Sequence, residues 1–268
     1  MKNKSWPVSV VGSKSSPPVV FLHGFLGDSL DWEFLRADLT ADFLCIFPDL
    51  PGHGQNQLAL PDRRLSFDWF ASGLAHTLDG LGIETAHLVG YSMGGRLGLY
   101  FAVKYPGQLR SLCLESASPG LSGRVERRER CELDAQRAAE IERVGFEQFI
   151  ADWYRMPLFA SLQSDPALLE KLLSRRVKND PQAMRRVIAE LSPGCQPSLW
   201  KRLAAIQVPA LLLAGELDGK YRLLVEEMAS RMPDARIALA PDAGHNIHLE
   251  RPDWYRQKIR DFLKSQVA

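Results

Sequence analysis

Short apolar runs recur along the chain, and each leads into a loop rich in glycine, proline or acidic residues. Runs of about four to eight apolar residues bounded in this way are typical of strands buried on both faces of a parallel sheet. We predict six such strands, at residues 18–22, 43–47, 86–89, 109–114, 209–214 and 236–239.

Amphipathic segments lie between these runs. Ser66 is a favourable N-cap for one of them, because its hydroxyl can accept a hydrogen bond from a free amide of the first turn. Strands that alternate with helices predict an α/β fold with a mostly parallel, doubly wound sheet. The predicted helices lie at residues 32–39, 67–81, from 97 to before Tyr105, 223–232 and 254–263.

The pattern changes between residues 122 and 200. This stretch contains no convincing buried strand, and its helical segments are rich in arginine and glutamate and are interrupted by prolines. We therefore predict that residues 1–120 and 201–268 form the α/β core and that residues 121–200 form an inserted helical cap.

Composition excludes several classes of protein. The chain has 268 residues, 46% of them hydrophobic, which is enough for one sizeable core. A formal charge of +1 gives no electrostatic reason to expect nucleic acid or an anionic membrane as a partner. No apolar run reaches the roughly 20 residues of a membrane-spanning helix, and no apolar segment follows the basic residues near the start. We predict a cytoplasmic protein.

The cysteines are far apart in the sequence and show no C-x-x-C spacing. They predict reduced thiols, not a disulfide framework or a set of metal ligands. We accordingly expect neither a metal nor a cofactor. The four residues are Cys45, Cys113, Cys131 and Cys195.

The sequence Gly90-Tyr91-Ser92-Met93-Gly94 lies between a predicted strand and a predicted helix. A Gly-x-Ser-x-Gly motif in this context is the signature of a nucleophile elbow, a strained turn that holds a serine hydroxyl above the sheet. Glycine is needed at both ends because neighbouring backbones pass too close for a Cβ atom. The motif predicts an α/β-hydrolase fold with Ser92 as the reactive residue.

A loop of sequence His-Gly-Phe-Leu-Gly-Asp follows the first predicted strand, at residues 23–28. In this fold such a loop supplies one backbone N–H of the oxyanion hole, and the residue after the serine supplies the other. We predict that Phe25 and Met93 donate these amides. His23 could be taken for a general base, but no partner serine is expected near it, which favours a role in shaping the loop.

A serine hydroxyl needs a general base to take its proton, and that base needs a third group to fix its tautomer. In this fold the members follow the order serine, acid, histidine, each at the C-terminal end of a strand. Ser92, Asp218 and His245 have this order and placement, and we predict that they form a catalytic triad. The competing residues near the same strand ends are Glu216, Asp242 and His248.

Such a triad supports two kinds of reaction. It usually hydrolyses a bond through an acyl-serine, but the serine oxyanion can instead take a proton from carbon while the oxyanion hole stabilises the developing charge. The triad alone leaves this choice open, because the substrate pocket decides it.

Arg96 lies one helical turn after Ser92, near the floor of the expected site. A buried guanidinium is costly unless it meets a carboxylate or an anionic ligand. Together with one or two cap arginines, Arg96 would suit a substrate with several carboxylates. Glu126 and Arg130 have the spacing of an ordinary helix ion pair. The cap cations, most of them expected to be solvated, are Arg124, Arg127, Arg128, Arg130, Arg137, Arg143, Arg175, Arg176, Lys178, Arg185 and Arg186.

Three aromatic residues of the insert, Trp153, Tyr154 and Trp200, could form either core or a wall for an unsaturated ring. Core is the preferred interpretation for either tryptophan taken alone.

Together these motifs resemble the α/β-hydrolase superfamily and, within it, the family of 2-succinyl-6-hydroxy-2,4-cyclohexadiene-1-carboxylate synthases of menaquinone or phylloquinone biosynthesis. The elbow and the histidine loop occur throughout the superfamily, whereas Gly94-Gly95-Arg96 and the cap motifs are narrower. The motifs that carry the resemblance lie at residues 23–27, 49–54, 90–96, 115–121, 126–130, 152–154, 157–162, 196–200, 215–221 and 244–246.

That resemblance implies a lyase that eliminates pyruvate from 2-succinyl-5-enolpyruvyl-6-hydroxy-3-cyclohexene-1-carboxylate. It implies that His245 and Asp218 activate Ser92 as a base on a ring carbon, without an acyl-enzyme, and that Phe25 and Met93 form the oxyanion hole. The substrate-binding residues that it implies are Arg96, Arg130, one of Arg175 or Arg176 (here assigned to Arg176), Tyr91 and Trp153.

Two other hypotheses remain open at this point. One is a serine hydrolase of esters, thioesters or carbon–carbon bonds on a carboxylate-bearing substrate. The other is a non-catalytic binding domain, which an intact triad disfavours. The expected partner is a small polycarboxylate, and the chain is expected to be a monomer or a small homo-oligomer.

Overall fold

Seven strands form one sheet in the order β1-β3-β2-β4-β5-β6-β7 in the computed structural model, which describes residues 5–56 and 60–267. The β1 strand runs antiparallel to β3, and all other neighbouring strands are parallel. The predicted mostly parallel α/β fold is thereby confirmed. The strands are β1 (Val8–Val11), β2 (Pro18–Leu22), β3 (Leu44–Pro48), β4 (Ala86–Tyr91), β5 (Leu109–Glu115), β6 (Ala210–Gly215) and β7 (Ala235–Ala240).

Successive residues of the central strands face opposite sides of the sheet, as the pleat requires. In β2, Val20 and Leu22 belong to one hydrophobic cluster, whereas Val19 and Phe21 belong to another on the opposite face. Burial of both faces explains why these strands are continuous apolar runs without polar alternation.

Ten α-helices are present in the described ranges. The sheet face that carries Val20 is covered by α2, α3 and α8, and the other face by α1, α9 and α10. The helices are α1 (Glu33–Leu39), α2 (Phe67–Gly80), α3 (Met93–Lys104), α4 (Arg124–Val144), α5 (Phe146–Tyr154), α6 (Pro166–Arg176), α7 (Pro181–Glu190), α8 (Gly219–Ala229), α9 (Ile247–Glu250) and α10 (Pro252–Lys264).

Four of these helices, α4 to α7, lie between β5 and β6, and no strand interrupts them. These helices, with the segments that join them to one another and to β5 and β6, are called the insert. It shares the hydrophobic cluster of the α2 and α3 face, to which Ile141, Phe149 and Met184 contribute. Within it, Cys131 and Cys195 are free thiols whose sulfur atoms lie 3.3 Å apart.

The structure differs from the sequence-based expectation in three elements. The β1 strand was not predicted, because its four residues are half exposed at the sheet edge and lack a long apolar run. The α8 helix begins at Gly219 and not at residue 223, because the Asp218 side chain accepts a hydrogen bond from the Tyr221 amide and caps the helix there. The four-residue helix α9 was also not predicted.

The carboxyl ends of β2, β4, β6 and β7 lie at the same edge of the sheet. Loops that follow parallel strands meet at that edge, which is where open α/β sheets bind ligands. In residues 5–56 and 60–267, no helix has the length and apolar content needed to cross a membrane.

Candidate active site

The turn after β4 holds Ser92 in a left-handed conformation, with φ 48° and ψ −106°. Such a backbone costs about 1–3 kcal/mol in a residue other than glycine and persists only where its surroundings impose it. The surroundings are glycines in close contact: a Cβ on Gly90 would lie 2.8 Å from the Gly94 oxygen, and one on Gly94 would lie 2.3 Å from the Leu22 oxygen. The sequence thus forms the predicted elbow because glycine alone fits around it.

Ser92, His245 and Asp218 form a continuous hydrogen-bonded chain. His245 Nε2 lies 3.1 Å from Ser92 Oγ, and His245 Nδ1 lies 2.8 Å from Asp218 Oδ2. With its hydrogen on Nδ1, the neutral imidazole donates to Asp218 and leaves Nε2 free to accept the serine proton. This is the geometry that a general base requires.

The three competing residues lie elsewhere. Glu216 is exposed, and Asp242 is exposed and paired with Arg251 at 3.3 Å. The His248 imidazole Nδ1 lies 2.9 Å from both carboxylate oxygens of Glu115 and does not face Ser92. The structure therefore brings only Asp218 and His245 to Ser92 from among these candidates.

The loop after β2 is held by His23. Its Nε2 accepts from the Leu50 amide at 3.0 Å, and its Nδ1 lies 2.8 Å from the Gly24 oxygen, so the imidazole connects this loop to the loop after β3. Phe25 and Met93 line the same cavity as Ser92. Met93 is the first residue of α3, where backbone amides lack an intrahelical acceptor and are available to an oxyanion.

Arg96 is buried in the cavity wall and has no carboxylate within 4.0 Å among the described residues. Its guanidinium donates to the Leu191 oxygen at 2.9 Å and to Gln196 Oε1 at 3.3 Å, and it lies over the Phe67 ring. Burial lowers the pKa of Arg96 to about 10. Both acceptors are neutral, so the positive charge remains uncompensated.

Arg130 and Arg137 also line the cavity, and one buried carboxylate fixes both. Asp134 accepts from Arg130 Nε at 2.7 Å, from an Arg137 terminal nitrogen at 2.8 Å and from the Ser192 hydroxyl at 2.6 Å. The structure thus pairs Arg130 with Asp134, where the spacing had indicated Glu126.

Arg176, and not Arg175, lines the cavity. Its terminal nitrogen contacts both oxygens of Asp31, at 2.8 and 2.9 Å, and its Nε donates to the Tyr154 hydroxyl. Burial alone would raise the pKa of Asp31, but Arg176 and Arg175 outweigh it and keep the pKa below its ordinary value. The second terminal nitrogen of Arg176 is buried and has no hydrogen-bond partner among residues 5–56 and 60–267.

Tyr91 and Trp153 form part of the cavity wall, which encloses 250 Å³. Burial raises the pKa of Tyr91 well above its ordinary value. The Trp153 ring lies 5.1 Å from that of Phe25, so it faces the site and is not solely a core residue. Trp200 lines a separate, adjoining cavity. Within the described ranges, no group of three or more His, Cys, Asp or Glu side chains is arranged to hold a metal ion.

Several cavity residues carried no role in the sequence analysis. Asp134 has the spacing of a helix ion pair to both Arg130 and Arg137, a signal that competed with Glu126. Asp31 lies 145 residues from Arg176 in the sequence and gave no such signal. Lys220 and Tyr221 lie two and three residues after Asp218, a position that itself indicated proximity to the site.

Comparison with known proteins agrees with this geometry. A profile of the alpha/beta hydrolase family matches residues 19–258. The 2-succinyl-6-hydroxy-2,4-cyclohexadiene-1-carboxylate synthase of Enterobacter sp. (strain 638) is 36% identical over 257 residues, which cover 96% of this chain and 95% of the relative. A Bacillus subtilis (strain 168) protein that carries this synthase name provisionally is 38% identical over 261 residues, 97% of this chain and 95% of the relative.

The solved structure of MenH from S. aureus superposes with a TM-score of 0.93 at 34% identity, covering 97% of this chain and 99% of that chain. The likeness therefore includes the insert as well as the sheet. The chain belongs to the alpha/beta hydrolase family and is similar over nearly its whole length to members named 2-succinyl-6-hydroxy-2,4-cyclohexadiene-1-carboxylate synthases.

Proposed function

We propose that this chain is a lyase of menaquinone or phylloquinone biosynthesis that eliminates pyruvate from 2-succinyl-5-enolpyruvyl-6-hydroxy-3-cyclohexene-1-carboxylate. The product is 2-succinyl-6-hydroxy-2,4-cyclohexadiene-1-carboxylate, the compound named in its relatives. The proposal assigns Ser92, Asp218 and His245 to proton transfer.

The observation that carries the proposal is the charge of the cavity. Five cationic and two anionic side chains line the cavity. The lining beside Ser92 therefore carries an excess of three positive charges. The substrate carries three carboxylates, on its ring, its succinyl group and its enolpyruvyl group. A neutral ester bound in the cavity would cover these charges without compensating them, which is costly, whereas a bound trianion neutralises them. The residues are Arg96, Arg130, Arg137, Arg176 and Lys220, with Asp31 and Asp134.

In the proposed reaction, His245 Nε2 takes the Ser92 proton, and the serine oxygen removes a proton from a ring carbon. A ring C=C bond forms as the C–O bond to the enolpyruvyl group breaks. The leaving enolate takes the proton from His245 and becomes pyruvate, so the triad returns to its starting state. The Phe25 and Met93 amides stabilise the negative charge that develops during the step.

We further infer that residues 121–200 act as a cap over a core of residues 1–120 and 201–268. Trp153, Phe159 and Arg176 support this division, because they extend from the insert into the cavity wall while Ser92 and His245 come from the sheet edge. In this arrangement the core supplies the proton transfer, and the insert supplies most of the carboxylate binding.

The test is an assay of pyruvate release from the pathway intermediate, coupled to lactate dehydrogenase. The wild type should release pyruvate, and Ser92→Ala should lower kcat by at least about a thousandfold, because it removes the proposed acceptor of the ring proton. Absence of pyruvate from the wild type would contradict the lyase. Trapping of an acyl-serine by mass spectrometry, with rapid turnover of simple esters, would indicate the hydrolase instead.

A further inference from the structure

A second cavity, of 580 Å³, adjoins the one that contains Ser92. The two cavities share a wall formed by Arg130, Pro193, Lys220 and Tyr221. Trp200 and Arg231 lie on the far side of the second cavity, with the guanidinium 4.8 Å from the indole. The proton-transfer scheme above makes no use of this second cavity.

Lys220 is a cation without an acidic partner at this junction. It is the second residue of α8, and among the described residues no carboxylate lies within 4.0 Å of its ammonium group. Its Nζ lies 5.7 Å from the centre of the Tyr221 ring. Although its side chain is exposed, the surrounding protein lowers the pKa of Lys220 by desolvation, and the Arg130 charge lowers it further, while Asp218 and Glu126 act in the opposite direction without cancelling the shift. Two mutually repelling cations on one wall favour an anion between them.

The junction is also next to the proposed base. The Tyr221 ring, which lines both cavities, lies 4.7 Å from the His245 ring. Tyr221 and Lys220, which line both cavities, therefore lie between the proposed base and the second cavity.

The cavity cations differ in depth. Arg96 and Arg176 are buried, with 8% and 2% of their surface exposed, Arg130 and Arg137 are partly exposed, and Lys220 is exposed. Buried cations suit the ring and succinyl carboxylates, which remain on the product. A cation at the solvent side suits the one carboxylate that departs.

We propose that Lys220, with Arg130, forms a subsite for a small monocarboxylate. It holds the carboxylate of the enolpyruvyl group before elimination and that of pyruvate afterwards, and the second cavity is the exit route of pyruvate. This inference rests on the proposed function.

The test is product inhibition in the variant Lys220→Met, with the reaction followed by the absorbance of the diene so that pyruvate can be added. Loss of one charge-assisted contact should raise the inhibition constant of pyruvate by about tenfold. Inhibition by the cyclohexadiene product, which lacks the pyruvyl carboxylate, should change by less than about twofold. Because Lys220 makes no ion pair in the described structure, the variant is expected to fold.

The matched control is Lys201→Met, which removes the same charge from the second cavity but not from the junction. It should leave both inhibition constants within about twofold of the wild type. The subsite would be overturned if the inhibition constant of pyruvate were unchanged in Lys220→Met. It would also be overturned if inhibition by pyruvate and by the cyclohexadiene product weakened equally.

A second measurement separates this inference from the proposed function. Pyruvate binding to Ser92→Ala and to the double variant with Lys220→Met can be measured by calorimetry without turnover. Failure of the wild type to release pyruvate from the intermediate contradicts the function. Equal affinity of the two variants for pyruvate contradicts the subsite alone.

Discussion

At the scale of single residues, Arg96 separates this site from a general serine hydrolase. The hydrogen bonds to the Leu191 oxygen and Gln196 Oε1 engage one terminal nitrogen without neutralising the charge. The protein thus supplies neutral acceptors to the guanidinium, and a bound carboxylate would supply the counter-charge.

The pH dependence of KM tests this role of Arg96. The guanidinium is charged below its pKa of about 10 and neutral above it, so carboxylate binding should weaken as the pH rises through 10. Steady-state kinetics should show KM rising there in the wild type. Arg96→Met should have a KM raised by about thirtyfold already at pH 8, as for removal of one partner of a buried charge pair. Its further rise toward pH 10 should be smaller than that of the wild type, and it should come from Lys220, whose pKa is also lowered.

The control for that measurement is Arg143→Met, which removes an exposed arginine of the insert that is paired with Glu140. It should retain the wild-type KM and its pH profile. An Arg96→Met variant that keeps the full rise in KM near pH 10 would show that another group is responsible.

The sequence was sufficient for the residues whose positions follow from chain order. Ser92, Asp218 and His245 each follow a strand of the sheet, and parallel strands bring such residues to one edge. The partners of the arginines were not predictable in this way. Whether Arg130 meets Glu126 or Asp134 depends on which face of α4 packs against α7, and that is decided by tertiary contacts.

At the scale of elements, the elbow shows how closely α3 approaches the sheet. The first turn of α3 lies against the end of β2, where Gly94 leaves no room for a Cβ atom between it and the Leu22 and His23 carbonyl oxygens. Because those oxygens belong to backbone at the strand end, they cannot rotate away. The position of Ser92 and the stability of the sheet therefore depend on the same contact.

Gly94→Ala should destabilise the protein by about 3 kcal/mol, the upper range for overpacking a rigid site. Urea unfolding followed by circular dichroism measures the change. The matched variant Gly107→Ala places a methyl group where no atom lies within 4 Å and should unfold within about 0.5 kcal/mol of the wild type. Equal stability of the two variants would contradict the close approach.

The elements that the sequence predicted correctly are those with the strongest local signal. The β2, β3 and β4 strands are buried on both faces and appear as apolar runs. The edge strand β1 lacks that signal because solvent covers part of it. The start of α8 depends on a single hydrogen bond from the Tyr221 amide to Asp218, which hydrophobic periodicity does not register.

At the scale of the whole molecule, the insert is tied to the loop after β2 by buried polar contacts. Arg176 contacts Asp31, and Asn179 donates to the Leu26 oxygen at 2.9 Å while accepting from the Gly54 amide at 3.0 Å. The same loop carries Phe25. A shift of the insert would therefore move this loop and change the shape of the proposed oxyanion hole.

Asp31→Asn should destabilise the folded chain by about 3–5 kcal/mol, because it leaves the buried Arg176 without its counter-charge. Chemical denaturation at neutral pH measures this loss. The comparison variant is Asp253→Asn on α10, whose carboxylate is 89% exposed and pairs with Arg256. It should change the unfolding free energy by no more than about 1 kcal/mol. An equally small effect of Asp31→Asn would show that the buried ion pair with Arg176 does not stabilise the insert against this loop.

The excess positive charge of the cavity also has a kinetic consequence. In a chain of net charge +1, three uncompensated cations in one concave site concentrate the attractive potential at its opening. Encounter with a trianion should then be accelerated by long-range attraction, which salt screens over about 10 Å at 0.1 M ionic strength. We expect kcat/KM to fall severalfold between low and physiological ionic strength while kcat stays constant. Initial-rate or stopped-flow measurements at a series of salt concentrations would test both expectations. The same side chains would thus set how fast substrate is captured as well as how it is held.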